Sequence, residues 1–179
     1  KKKKMYDVIS KSNFQQEIFE CYHDLIAFGT ACLMIEEDQD DVLNFSARHI
    51  KEIYIQENKK GYVDTIYRRF KMPSQAAADK FGVENISKDL INKARKDPFQ
   101  DVQLVHVIKP RLDFDPKKED KKNMPFTSIY FEYESGHIIS VGGFKESPYV
   151  IPRYLKASTE QYGRSPGMNA LPDVKVLNK

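Results

Sequence analysis

The pentapeptide Gly163-Arg164-Ser165-Pro166-Gly167 has the residue types and spacing of a nucleophile elbow, in which a serine on a sharp turn attacks a carbonyl. The chemistry of an elbow argues against that use here. The residue after the serine must donate its backbone N–H to the oxyanion, and Pro166 has none. The preceding ASTEQ (157–161) is polar and lacks a strand pattern, and no histidine follows Ser165. The same residues suit a helix start: Ser165 as the cap, then Pro166 at the first helical position. A helix beginning at Ser165 is therefore predicted, with Ser165 as a cap and with no catalytic residue in the chain.

Other chemistry-bearing residues are scattered. The acidic run Glu36, Glu37, Asp38, Asp40 and Asp41 lacks the glycine and the spaced glutamate of a calcium loop, so a solvated loop is expected. His106 lies in an apolar stretch and reads as a hydrogen-bonded core residue. His23, His49 and His137 have no cysteine or histidine at ligand spacing. Gly142-Gly143 with Lys145 is not a phosphate loop, because no GxxxxGK[ST] pattern and no following helix accompany it. Arg68-Arg69 and the lysines of 117–122 read as exposed strand and loop charges. No metal and no cofactor is expected.

The elements that would position these residues follow from period and caps. Residues 12–28 form an amphipathic helix with Ser12 and Gln15 as a capping box, an apolar stripe through Phe14, Ile18, Cys21, Tyr22, Leu25 and Ile26, and a stop at Gly29. Residues 31–35 read as a strand, and 50–56 with 62–70 as a hairpin around ENKKG. Pro73-Ser74 starts a short helix to Phe81. Ser87 caps another, running to Lys96. Residues 102–108, apolar on both faces, predict a central strand. Residues 126–133 and 137–141 form a hairpin through Ser135-Gly136, with Gly142-Gly143 breaking the pairing. This order predicts an α+β fold of antiparallel hairpins packed with helices.

The chain of 179 residues fits one domain with room for a small subdomain. Its net charge of +3 is a property of the first four lysines. Without them, 25 basic and 26 acidic residues leave −1, so no basic stripe marks a DNA-reading surface. The opening residues carry no apolar leader, and Cys21 and Cys32 lack metal or redox spacing, so free thiols are expected. The chain begins without Met and stops inside a helical pattern, Ala170, Leu171, Val174 and Leu177 falling on one face. Both ends suggest a fragment of a longer polypeptide. The organisation expected is a basic tail over 1–11, an α+β domain over 12–164, and a helix start over 165–179.

Six separated pieces carry a resemblance, in order along the chain. They are FGTACLMIEED (28–38), GYVDTIYRRFKMPSQAAADKFG (61–82), VHVIKPR (105–111), MPFTSIYFE (124–132), GGFKESPYVIPRY (142–154) and YGRSPGMNALPDVKVLN (162–178). Together they resemble the podovirus-type bacteriophage head-to-tail connecting (portal) proteins. The resemblance implies a wing-type domain leading to a stem, within a homo-oligomeric ring that is commonly dodecameric. It also implies terminase, capsid and tail proteins as partners, non-specific passage of double-stranded DNA, and a place in the virion after assembly in the host cytoplasm. The residues singled out are Tyr162, Gly163, Arg164, Ser165 and Pro166, at the wing-to-helix junction, with Arg164 expected to pair across a subunit or domain boundary. The alternative from another class is a nucleic-acid-binding module without catalysis, suggested by the lysine tail and the aromatic content.

Overall fold

The computed structural model describes residues 2–38, 42–115, 120 and 123–178. The chain divides into two compact units: residues up to Ile55 together with those from Pro148 onward, and Gln56–Ser147 between them. Both combine helices with antiparallel strands, as the α+β reading expects. Among the described residues no helix is long and apolar enough to cross a membrane.

The first unit contains α1 (Lys2–Lys11), α2 (Phe14–Phe28), β1 (Leu33–Asp38), β2 (Val42–Ala47), a 3-10 turn (Ile50–Glu52), β8 (Tyr149–Val150) and α5 (Pro166–Leu177). The segment read as a basic tail is thus largely helical. Its helix also changes how α2 starts. Ser12 ends α1, its hydroxyl donating to the Ile9 carbonyl at 2.7 Å and accepting from the Phe14 N–H at 3.3 Å rather than from the Gln15 N–H that the predicted capping box would use. Asn13 takes the cap position and uses its side chain elsewhere. Its amide donates to the Phe45 carbonyl (2.7 Å) and accepts from the Phe45 N–H (2.9 Å), as the backbone of an adjacent strand would. Glu17 accepts from the Ala47 N–H beside it.

The sheet runs β2-β1-β8, and α2 packs on it through Cys21, with Phe14, Ile18 and Leu25 around Ala31, Leu33 and Phe45. Phe14 meets Phe45 edge-on at 5.0 Å. Tyr22 and Ile26, predicted in the same stripe, are more than half exposed. A helix advances about 100° per residue, so only the 14-18-21-25 edge can face a single sheet. Of the acidic run, Glu36, Glu37 and Asp38 belong to β1, while Asp40 and Asp41 lie outside the described residues. Both thiols are buried and free. Burial, then Asp24, Glu17 and Glu20, push Cys21 up to about 11.

The second unit holds β4 (Val63–Pro73), α3 (Ser74–Phe81), α4 (Lys88–Lys96), β5 (Asp101–Pro110), β6 (Phe126–Glu132) and β7 (Ile138–Phe144). With β3 (Ile53–Glu57), which straddles the division of the chain, the strands make a sheet ordered β3-β4-β5-β6-β7. β5 is central, as its two apolar faces predict. α3 and α4 cover Phe70, Val102 and Leu104 with Ala77, Ala78 and Leu90. Ser87 caps α4, accepting from the Leu90 N–H at 3.2 Å.

Three details of this sheet depart from or extend the local patterns. Gly142-Gly143 does not end the last hairpin: Gly142 pairs with Ser128 and Gly143 with Thr127, and the irregularity sits earlier, at Tyr130/Phe131. Arg68, read as an exposed charge, is only 8% exposed and lies over the Phe70 ring at 4.1 Å. Glu132 is buried, and its carboxylate accepts from the Ser87 N–H (2.9 Å), the Ser87 hydroxyl (2.7 Å) and the Ser135 hydroxyl (2.7 Å). One acid therefore ties the start of α4 to the β6–β7 turn, with the charge held by hydrogen bonds as burial requires.

Candidate functional site

Of the predicted junction residues, Gly163 and Ser165 lie against the end of α2. That helix stops at Gly29 in the left-handed conformation (φ 74°), its N–H donating to the Leu25 carbonyl at 3.0 Å. Three stretches then knit together. The Tyr154 N–H donates to the Gly29 carbonyl (2.8 Å), and the Arg164 N–H to the Leu155 carbonyl (2.7 Å). The Gly163 N–H donates to the buried hydroxyl of Thr30 (2.8 Å).

Gly163 and Gly29 face each other with no room for side chains. A Cβ on Gly163 would overlap the Gly29 carbonyl oxygen. One on Gly29 would stand 2.5 Å from the Gly163 oxygen and from the Ser165 nitrogen. These obstacles are backbone atoms, which cannot swing aside as a flexible side chain can. In sequence, Gly29 reads only as a helix stop and Thr30 carries no signal of a role. Neither residue's type reveals a contact with a segment more than a hundred positions away.

Ser165 is fully buried, and its hydroxyl is occupied on both sides. It donates to the Ala27 carbonyl (2.9 Å) and accepts from the Met168 N–H (2.9 Å). Helix ends leave the last carbonyls and the first N–H groups unpaired. A single hydroxyl here satisfies one of each, joining the C-terminus of α2 to the N-terminus of α5. The helix dipoles favour this arrangement, the negative end of one meeting the positive end of the other. Ser165 is the predicted cap. A serine whose proton is given to a main-chain carbonyl, followed by Pro166 at the first helical position, is not poised as a nucleophile.

Tyr162 acts at a distance from that cap. Its hydroxyl donates to the Ile53 carbonyl (3.2 Å) and accepts from the Ile55 N–H (3.3 Å). Tyr162→Phe is expected to leave both groups unsatisfied and to speed exchange of the Ile55 amide at least about tenfold, equivalent to about 1.4 kcal/mol of local opening. Residue-resolved hydrogen exchange reads this directly, and unchanged protection of Ile55 would remove the role.

Arg164, expected to reach across a boundary, is engaged within its own turn. Its guanidinium grips Glu160 with two bonds, Nε to Oε2 at 2.9 Å and Nη2 to Oε1 at 2.7 Å. The hydrogen bond, then the charge, lower the Glu160 pKa from its ordinary 4.5 and raise that of Arg164. The sign follows: a carboxyl lowered in the folded state stabilises above its unfolded value and loses that contribution as pH falls through the folded one. Because the pair is exposed, the effect is small. Glu160→Gln should lower the thermal midpoint slightly at pH 7 and not at all at pH 2; an equal difference at both would refute this pairing.

The histidines stay apart. His106 is fully buried, stacked on Tyr130 at 3.8 Å and hydrogen-bonded to the Ser128 hydroxyl at 2.9 Å, the core role predicted for it. His49 accepts from the Lys51 N–H, His23 lies edge-on to Phe19, and His137 contacts the Asn85 carbonyl. Arg69 lies over the Tyr133 ring at 5.1 Å. Of the lysines at 117–122, Lys117, Lys118, Lys121 and Lys122 all lie outside the described residues.

Residues 1–179 match the family described as bacteriophage head to tail connecting protein. The chain is 33% identical over 179 residues to the portal protein of Salmonella phage epsilon15, covering 98% of this chain and 32% of that protein. It is 31% identical over 178 residues to the probable portal protein of Bordetella phage BPP-1, covering 97% of this chain and 32% of the relative. The chain thus spans about a third of the length of these curated relatives.

Proposed function

Because the chain belongs to the bacteriophage head-to-tail connecting protein family, we propose that it is part of a structural subunit of a portal ring at one capsid vertex. Such a ring passes the genome inward during packaging and outward during ejection, and docks terminase, capsid and tail proteins. It is a homo-oligomer, dodecameric in this reading, carried in the virion after assembly in the host cytoplasm. The single observation behind the proposal is the family match along the entire chain, with two relatives named as portal proteins.

The geometry of the junction supports a scaffold role without catalysis. Its polar groups are used on one another: Ser165 on Ala27 and Met168, Thr30 on Gly163, Arg164 on Glu160. A ring needs one heterologous interface repeated until the rotation closes, and therefore rigid subunits that present the same surfaces each time. Translocating DNA calls for phosphate contacts that are weak and independent of sequence. The net charge of −1 beyond the first four lysines fits that need.

Negative-stain imaging of the full-length protein tests the proposal. Rings with a central hole wide enough for a duplex are the expected result. A full-length protein that stays monomeric at micromolar concentration would overturn it.

A further inference from the structure

The five-stranded sheet carries its helices on one face, where α3 and α4 meet Phe70, Val102, Leu104 and Ile139. Side chains alternate along a strand, so the residues between these point to the other face. The register aligns them in rows: Tyr67, Val107, Ile129 and Val141, then Arg69, Val105, Phe131 and Ile138. Lys71 and Gln103 continue toward Tyr133, and Lys109 stands beside Thr127. This face is apolar at its centre, yet Tyr67 (39%), Tyr133 (50%), Val141 (41%) and Ile138 (58%) remain open to solvent. A contiguous exposed apolar surface of this kind marks an interaction site.

Its charge is one-sided. Arg69, Lys71 and Lys109 are exposed, and the sole acid at the matching positions of these four strands is Asp101, at the start of β5. The Arg69 guanidinium lies over the Tyr133 ring at 5.1 Å. Two such faces would repel each other, so a second copy of the same face is a poor cover. The complement lies elsewhere in the chain. Glu36, Glu37 and Asp38 close β1 and open the densest acidic run in the sequence. Opposite Asp38, at the start of β2, Val42 is 58% exposed. This hairpin end offers acids for the three cations and an aliphatic side chain for the apolar centre.

We propose that the open sheet face receives the acidic end of the β1–β2 hairpin of a neighbouring copy. The choice of a neighbouring copy rests on the portal-ring reading. Two different patches then meet, the heterologous contact that a ring repeats until it closes. Opposed charges fix the register of such a contact and speed the encounter. A DNA duplex held by its phosphates would use the cations and leave Ile138 and Val141 in water.

Charge exchange in the full-length protein tests this. Lys71→Glu with Lys109→Glu, and separately Glu36→Lys with Glu37→Lys, should each cut ring yield at least about tenfold by analytical ultracentrifugation. The thermal midpoint of the unassembled subunit should not move, because these side chains are on the surface. All four substitutions in one chain should restore the rings. Wild-type rings assembled from isotopically light and heavy copies supply a second readout that needs no variant. A carbodiimide, which joins an amine to a carboxylate in contact, should link Lys71 or Lys109 of one copy to Glu36 or Glu37 of another. Rings without that link, full yield from either charge-reversed pair, or failure of the four-fold exchange to restore rings overturns the inference and leaves the ring reading intact. A lysine variant that keeps its rings but loses a single-stranded oligonucleotide bound by wild type assigns the face to nucleic acid and overturns it too. A wild-type protein that forms no ring overturns both.

Discussion

Replacing Gly163 with alanine is expected to lower the thermal midpoint by roughly 6–12 °C, the equivalent of about 3 kcal/mol in a chain of this size. The added methyl would overlap the Gly29 carbonyl oxygen and crowd the Arg153 Cβ and the Tyr154 nitrogen, each at 3.1 Å. Relief requires the α2 terminus and the 163–165 stretch to separate. That motion lengthens the Gly163–Thr30 and Ser165–Ala27 hydrogen bonds together. The loss should therefore exceed that of Ser165→Ala, which removes a cap worth about 1–2 kcal/mol. Gly142→Ala is the control, since its methyl meets open space and its effect should stay within about 1 kcal/mol. Differential scanning calorimetry reads all three. A Gly163→Ala midpoint equal to that of Gly142→Ala would mean that the two glycine backbones are not in contact.

The second large effect is expected at Glu132. Truncation to alanine removes the acceptor of the Ser87 N–H, the Ser87 hydroxyl and the Ser135 hydroxyl, with Ser87 half-buried and Ser135 exposed. Hydrogen bonds to a charged group contribute about 1.5–3 kcal/mol each, and the losses overlap because two of the three donors belong to Ser87. A net loss of about 3 kcal/mol is expected, seen as a lower urea midpoint with an unchanged slope. Glu132→Gln keeps the shape and one acceptor oxygen and should lose about half as much. Equal midpoints for wild type and the alanine variant would show that this carboxylate does not hold the α4 start. The Lys93–Glu134 pair nearby is exposed and should matter little when broken.

Some of this protein is legible residue by residue. Ser165-Pro166 and Ser87 announce helix starts because capping chemistry is complete within four positions. The β5 stretch reads as central because both of its faces are apolar. His106 reads as core for the same reason. Where local rules misled, another partner had taken the group: the Ser12 oxygen accepts from the Phe14 N–H, and Asn13 serves β2 rather than its own helix. The Gly142-Gly143 step looked like a strand end because glycine weakens pairing on average, yet β6 continues to pair with it in register. Arg68 looked exposed because charge usually is, yet its guanidinium lies over an aromatic ring in the sheet.

The α+β class, most helix and strand positions and the reading of Ser165 as a cap are legible in the residues alone, since each depends on period or on groups a few residues apart. Folding alone brings Gly29 against Gly163, lets Thr30 and Gly163 share a hydrogen bond across 133 positions, and buries Glu132 beside Ser87 and Ser135. The physical reason is one of range. Dihedral preference and capping act over a single turn, whereas the close approach of two backbones depends on which remote segments come to occupy the same space, and no residue carries that information alone.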